Sequence, residues 1–375
     1  LGDACANYET AIFYDPKCIE AYIKYARTYK NASSSQAIDK LMKLKEIDPS
    51  FVLADRELGD VYYGINDFAQ ATKYYEKYLN SGNKTNVGDL VRYSMALFMN
   101  HEFGKSLEIA TLGLEKEPKS PALNRLVLYN NVDLKKYDVA LTAADFLFNQ
   151  SKDPNFNFLD YRYYAQALKE TKKYDLAADE FKKALNADPS KIDLWKEISD
   201  MYLEIKNYPN AVSAFLKFKS ETGESTGKGL EQNITLGKLY YAWGTDTTTV
   251  MDVRKSVLLK ADSIFTDVVT RKPDDYRGNF WRARVNTALD PETTAGLAKP
   301  YYDLTVTFAE AKKDVRYNNV LVECYSYLGW YYFVQKDYAT SLTYWNKIIA
   351  IDPNNPTAKK GIANIQAPKS TGKKK

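Results

Sequence analysis

The sequence predicts an all-α solenoid of stacked helix pairs, and three observations predict it. Small and large apolar residues recur at helical spacing through about nine successive segments. Pro16, Pro49, Pro118, Pro189, Pro273 and Pro353 stand where such segments end. The chain holds 31 tyrosines in 375 residues, the large fillers that neighbouring helices of this kind need.

Residues 52–79, VLADRELGDVYYGINDFAQATKYYEKYL, set the template. Leu58, Gly59 and Tyr62 share one face of a first helix, and Phe68, Ala71, Tyr75 and Tyr78 one face of a second, with a turn at Asn66-Asp67. A small residue stands where each helix approaches a neighbour, Gly59 in one and Ala71 in the other. Upstream, Ala4, Tyr8, Ala11 and Pro16 match a second helix alone, so the natural protein is expected to continue before Leu1. Tyr22, Tyr25, Ala26 and Tyr29 with Ala37, Leu41 and Leu44 form the next unit. After the template come Tyr93, Ser94 and Leu97 with Phe103, Ser106 and Ala110, then Val127 and Leu128 with Tyr137, Ala140 and Ala144.

The clearest copy joins Tyr161, Tyr164, Ala165 and Leu168 to Tyr174, Ala177, Phe181 and Ala184. Trp195, Ile198, Ser199 and Tyr202 follow with Tyr208, Ala211, Phe215 and Phe218. The seventh unit has Gly237 and Tyr240 with Ala261 and Phe265, and the eighth Ala283 with Ala298 and Tyr302. The ninth joins Tyr325, Leu328, Gly329 and Tyr332 to Tyr338, Ser341 and Trp345, and residues 356–366 read as a lone capping helix. Polar joints stand at 80–88 and 221–229, the latter the expected hinge, and insertions at 243–255 and 290–294 are expected as loops. The expected division is therefore a regular block, 1–221, a decorated block, 222–366, and a disordered basic tail, 367–375.

This pattern resembles the tetratricopeptide repeat (TPR), a unit of about 34 residues with small and large positions in this order. The PDD and LDP turns and the run GLAKPYYDLTVTF, within 262–361, resemble the TPR proteins of Bacteroidota, which implies an extracytoplasmic, periplasmic location. The resemblance implies a right-handed superhelical solenoid whose first helices line a concave groove. The residues facing that groove lie three before and one after each small residue of a first helix. Arg56, Arg125, Arg162 and Lys196 hold the first of these places, Arg27 and Arg284 the second, with Arg92 close by. Tyr63, Phe98, Tyr241 and Phe333 lie four after, with Tyr129 and Trp330 near them.

A row of guanidiniums suits an extended acidic segment of a partner protein, since arginine takes carboxylates bidentately. The opposing reading pairs these cations with neighbouring acids such as Asp60, Asp200 and Glu204. Neither Arg125 nor Arg162 is expected to be needed for helix packing. The clamp with which chaperone-binding TPR domains hold a peptide carboxylate is absent, because its places hold Ile23, Arg27, Glu57, Gly88 and Arg92, of which only the last matches.

Other chemistry is sparse. With His101 the single histidine, no Ser-His-Asp arrangement and no histidine metal cluster can form. Cys5, Cys18 and Cys324 lack zinc spacing, and no glycine-rich phosphate loop precedes a helix, so no catalytic residue, metal or cofactor is expected. A balance of 52 basic and 48 acidic residues gives no reason to expect nucleic-acid binding, and no apolar run is long enough to span a membrane. The expected function is a non-enzymatic protein-interaction scaffold. The alternative is a glycan-binding or carbohydrate-processing accessory protein built on Trp243, Trp281 or Trp330 beside carboxylates.

Overall fold

The computed structural model describes residues 2–82, 86–151, 155–223 and 229–366, and every regular element among them is helical. The chain divides into two compact units, Leu1–Ser190 and Lys191–Lys375. The first holds α1 (Gly2–Tyr14) and five pairs: α2 (Ile19–Tyr29) with α3 (Ser34–Ile47), α4 (Val52–Gly64) with α5 (Phe68–Asn80), α6 (Val87–Met99) with α7 (Phe103–Lys116), α8 (Pro121–Asp133) with α9 (Tyr137–Gln150), and α10 (Phe158–Glu170) with α11 (Tyr174–Ala187). The second holds four: α12 (Leu194–Glu204) with α13 (Tyr208–Thr222), α14 (Gly229–Thr245) with α15 (Met251–Arg271), α16 (Tyr276–Leu289) with α17 (Lys299–Lys312), and α18 (Asn318–Val334) with α19 (Tyr338–Ile351). A last helix, α20 (Pro356–Gln366), packs on α19 and α18 as the expected cap.

The small positions explain the pairing. A Cβ added at Gly59 would stand 2.8 Å from the Tyr75 ring, and one at Gly329 would stand 2.7 Å from the Trp345 indole. Both second-helix aromatics therefore lie directly on first-helix backbone, and any side chain there would push them out. Ala165 and Ala177 do the same work and are fully buried. Where the contact is Ser on Ser, the hydroxyls serve as hydrogen-bonding spacers: Ser94 and Ser106 each donate to the other's carbonyl, at 2.8 and 2.7 Å. Between the helices of a pair the chain turns through a left-handed residue, Asn66, His101, Lys135, Lys172, Lys206 or Lys336, with φ between 59° and 65°. Asp67 and Asp337 then cap the following helix through the N–H of Gln70 and Thr340.

Within each unit every helix packs on its neighbours in sequence, and in the first unit α2, α4, α6, α8 and α10 also touch one another in order. That second set of contacts makes a continuous first-helix face. No helix among the described residues is long and apolar enough to cross a membrane.

One of the two insertions differs from expectation. Residues 243–255 do not form a loop: they lengthen α14 and α15 to 17 and 21 residues around a short turn. Asp246 fixes that turn. Its buried carboxylate accepts from the Thr248 N–H and hydroxyl at 2.8 and 2.7 Å and from the Tyr208 hydroxyl at 2.7 Å, and it pairs with Lys206 at 3.0 Å. Residues 290–294 do form a turn, held by the buried Asp290 carboxylate through the N–H groups of Thr294 and Gly296. Asn233, which opens an Asn-Ile-Thr triplet of the N-glycosylation type, lies inside α14, where its side chain is buried and bonded to Asp267 and Lys219. Residues 224–228 of the expected hinge, 83–85 of the polar joint and the whole expected tail lie outside the described residues.

Candidate partner-binding site

The first-helix face of the N-terminal unit carries the arginines that the repeat register picks out, and it also carries their counter-ions. Arg56 on α4 reaches into the next repeat, its Nε 2.9 Å from Asp89 Oδ1, while its Nη1 donates to Glu57 at 2.8 Å. Arg27 on α2 donates to the same Glu57 carboxylate at 3.0 and 2.6 Å. Arg92 on α6 bonds Asp89 at 2.6 Å, and its Nε lies 2.8 Å from Asp60. The carboxylates are the buried members, with side chains 2% exposed at Asp89 and 3% at Glu57, whereas Arg27 is half exposed. Burial works against the charge on Arg56, but Asp89, Asp60 and Glu57 outweigh it and raise the guanidinium pKa further.

The device repeats two units on. Arg125 Nε donates to both oxygens of Asp160 at 2.8 and 2.9 Å, and Arg125 Nη2 also reaches the Asn155 carbonyl. Asp160 is fully buried, accepts from the Tyr129 hydroxyl at 2.7 Å and closes a capping box with Asn157 at the start of α10. In both cases the arginine stands three before the small position of one first helix. The aspartate stands five before that of the next, 33 or 35 residues along. Arg125 therefore is needed for packing, contrary to expectation: without it a fully buried carboxylate loses its cation.

Arg162 breaks the series. It holds the same place on α10, but the corresponding position in the following repeat is Leu194, which offers no carboxylate. Arg162 is exposed and its side chain makes no hydrogen bond or ion pair among the described residues. It lines a cleft of about 380 Å³ with Asp133, Lys135, Tyr137, Tyr163 and Gln166. The Tyr163 ring stacks on Tyr129 at 4.3 Å, with Phe98 against both, and its hydroxyl donates to Asp133 at 3.0 Å. Desolvation raises the Asp133 pKa, opposed by that hydrogen bond and by the charge of Arg162. A second cleft in the unit, bordered by Lys30, Asp60, Tyr63 and Arg92, holds cations already balanced by Asp60, at 4.0 Å from Lys30 and 2.8 Å from Arg92.

In the C-terminal unit Lys196 pairs with Asp200 at 2.6 Å, both exposed. Arg284 forks onto Glu323 at 2.7 and 2.6 Å and lies over the Phe280 and Trp281 rings, with Tyr241 edge-on to Trp281. Trp330 is 44% exposed and stacks on Phe333. Trp243 lies between Tyr208 and Tyr240, roughly parallel to both. Of the residues the register selects, the structure joins Arg27, Arg56 and Arg92 in one ionic network and Arg125 with Tyr129 in another. The acids Glu57, Asp89, Asp133, Asp160 and Glu323 are the members that sequence reasoning missed. The matching registers of Arg56 with Asp89 and Arg125 with Asp160 were the signal that could have found two of them.

A family profile described as Tetratricopeptide repeat matches residues 322–355, which span α18 and α19. No curated protein matches the sequence significantly. Among solved structures, the C-terminal part of a TPR repeat-containing protein from Cytophaga hutchinsonii is 28% identical, covers 72% of this chain and 99% of its own, and superposes with a TM-score of 0.51. YrrB, described as a TPR protein with an unusual peptide-binding site, is 17% identical over 53% of this chain and 97% of its own, with a TM-score of 0.44. A thermophilic TPR protein from Thermus thermophilus is 17% identical over 56% of this chain and 98% of its own, at 0.34. With nine helix pairs in one register among the described residues, the chain has the fold of the tetratricopeptide-repeat solenoids it is similar to. Its likeness to a repeat protein of the Bacteroidota agrees with the resemblance in its C-terminal third.

Proposed function

We propose that this chain is a non-enzymatic scaffold that binds an extended, acidic segment of a partner protein on the first-helix face of its N-terminal unit. The observation that carries the reading is that face itself. Five consecutive first helices carry the guanidiniums of Arg27, Arg56, Arg92, Arg125 and Arg162 on one face, with the partly buried Tyr63 and Phe98 beside them. Internal acids hold four of these arginines in fixed rotamers, which lowers the entropy lost when a partner docks. Lys196, Tyr241, Arg284 and Trp330 form the corresponding places of the C-terminal unit. The glycan reading rests on exposed tryptophan beside carboxylates. Trp330 alone approaches that description, because Trp243 and Trp281 are half-buried among other rings.

The test is selection from a library of extended peptides displayed against the full chain. Enrichment of acidic sequences, with binding that weakens as salt is raised, is the expected result. Enrichment of uncharged or basic sequences, or binding on a glycan array instead, would overturn the reading.

A further inference from the structure

Within the proposed scaffold function, on which this inference rests, we propose that the cleft between α8 and α10 is a specific carboxylate-binding site, with Arg162 and Lys135 as its cations. Four observations lead there. Arg27, Arg56, Arg92 and Arg125 are each ion-paired with a neighbouring carboxylate, whereas Arg162 makes no ion pair among the described residues and shares its cleft with Asp133. Lys135 lines the same cleft, and its ammonium likewise makes no ion pair among the described residues. It stands at φ 59°, a left-handed turn position that costs a non-glycine residue free energy. The N–H groups of Lys135 and Lys136 hold that turn on the carbonyls of Val132 and Asn131. The side chain therefore leaves the backbone from a fixed point.

The remaining lining completes the chemistry. Asp133, fixed by the Tyr163 hydroxyl, is the cleft's acceptor, and two cations against one carboxylate leave the site one charge positive. A carboxylate entering it meets the Arg162 fork and the Lys135 ammonium. The amide N–H of the same ligand residue donates to Asp133, and the ligand's methylene stem lies on the Tyr163 ring. A volume of about 380 Å³ holds one such residue with its flanking amides and not a folded element. The ligand is thus an aspartate or glutamate side chain within an extended segment. A chain-terminal carboxylate has the same chemistry.

Two short probe peptides separate these sources: an acetylated, amidated peptide of alternating glutamate and serine, and its glutamine counterpart with a free C-terminus. Both are titrated into the full chain and into Arg162→Ala, Lys135→Ala and Arg162→Lys. At least one peptide should bind. Arg162→Ala should weaken it about tenfold or more, Lys135→Ala by less, and Arg162→Lys should restore part of the loss, since charge remains but the fork is gone. The peptide that responds identifies the source of the carboxylate. Thermal melting of Arg162→Ala should match the parent, because the side chain holds no structural partner. If the glutamate peptide binds the parent and Arg162→Ala equally, the cleft is not its site, while the scaffold reading stands on the rest of the face. Should neither peptide bind the parent, both the cleft and the acidic-segment reading fall.

Discussion

The two units use one repeat and place their ion pairs differently. In the N-terminal unit the inter-repeat acids are deep, with Asp89 side chain 2% exposed and Asp160 0%. In the C-terminal unit the inter-repeat pair Arg284 with Glu323 stands 31% and 34% exposed. A buried carboxylate without its cation is costly, whereas an exposed pair exchanges readily with water. The same residue type on the same helix face is thus a packing element in one unit and a surface feature in the other. Arg162, which forms no ion pair among the described residues, is neither.

That contrast can be broken by substitution. Arg125→Ala should destabilise the N-terminal unit by about 3 kcal/mol, at the lower end of the cost of orphaning a buried charge, because Tyr129 and Asn157 still donate to Asp160. Denaturant unfolding followed by circular dichroism reads this, and a loss no greater than for Arg284→Ala would erase the distinction. Helix packing should be common to both units. Ala177→Leu adds methylenes at a fully buried contact and should cost about 1–3 kcal/mol, and a melt unchanged from the parent would refute the assigned register.

Acid should act on the C-terminal unit through Asp246. Hydrogen bonds from Thr248 and Tyr208, with Lys206 beside them, hold its carboxyl far below the ordinary value of 3.8. A depressed folded-state pKa means the contribution is present above the ordinary value and disappears as pH falls through the folded one. The melting temperature of the parent should therefore drop as pH falls below about 4, and Asp246→Asn should flatten that drop. Parallel profiles for the two proteins would count against the turn's dependence on this charge. The smallest effect belongs to Arg284→Ala, about 1 kcal/mol or less for a partly exposed pair, measured by the same denaturant titration.

The sequence carried the pairing of helices, their order and the small positions at Gly59, Ala165, Ala177 and Gly329, because spacing along a helix and the volume at a close contact are local properties. It carried the candidate row as well, since position in a repeat fixes which face a residue occupies. The insertion at 243–255 was legible as extra residues, but its helical form was not. A single buried aspartate, meeting partners from α13 and from its own turn, decides where the turn falls. Nor did the register alone say which arginine of the row is unpaired, since Arg27 and Arg92 find their acids outside it. That depends on whether a carboxylate some 33 to 35 residues away stands within hydrogen-bond reach across two packed helices. A shift of a few ångströms makes or removes such a contact. The repeat register follows from the order of residues alone, while the charge left over on the face was settled only when the helices were brought together.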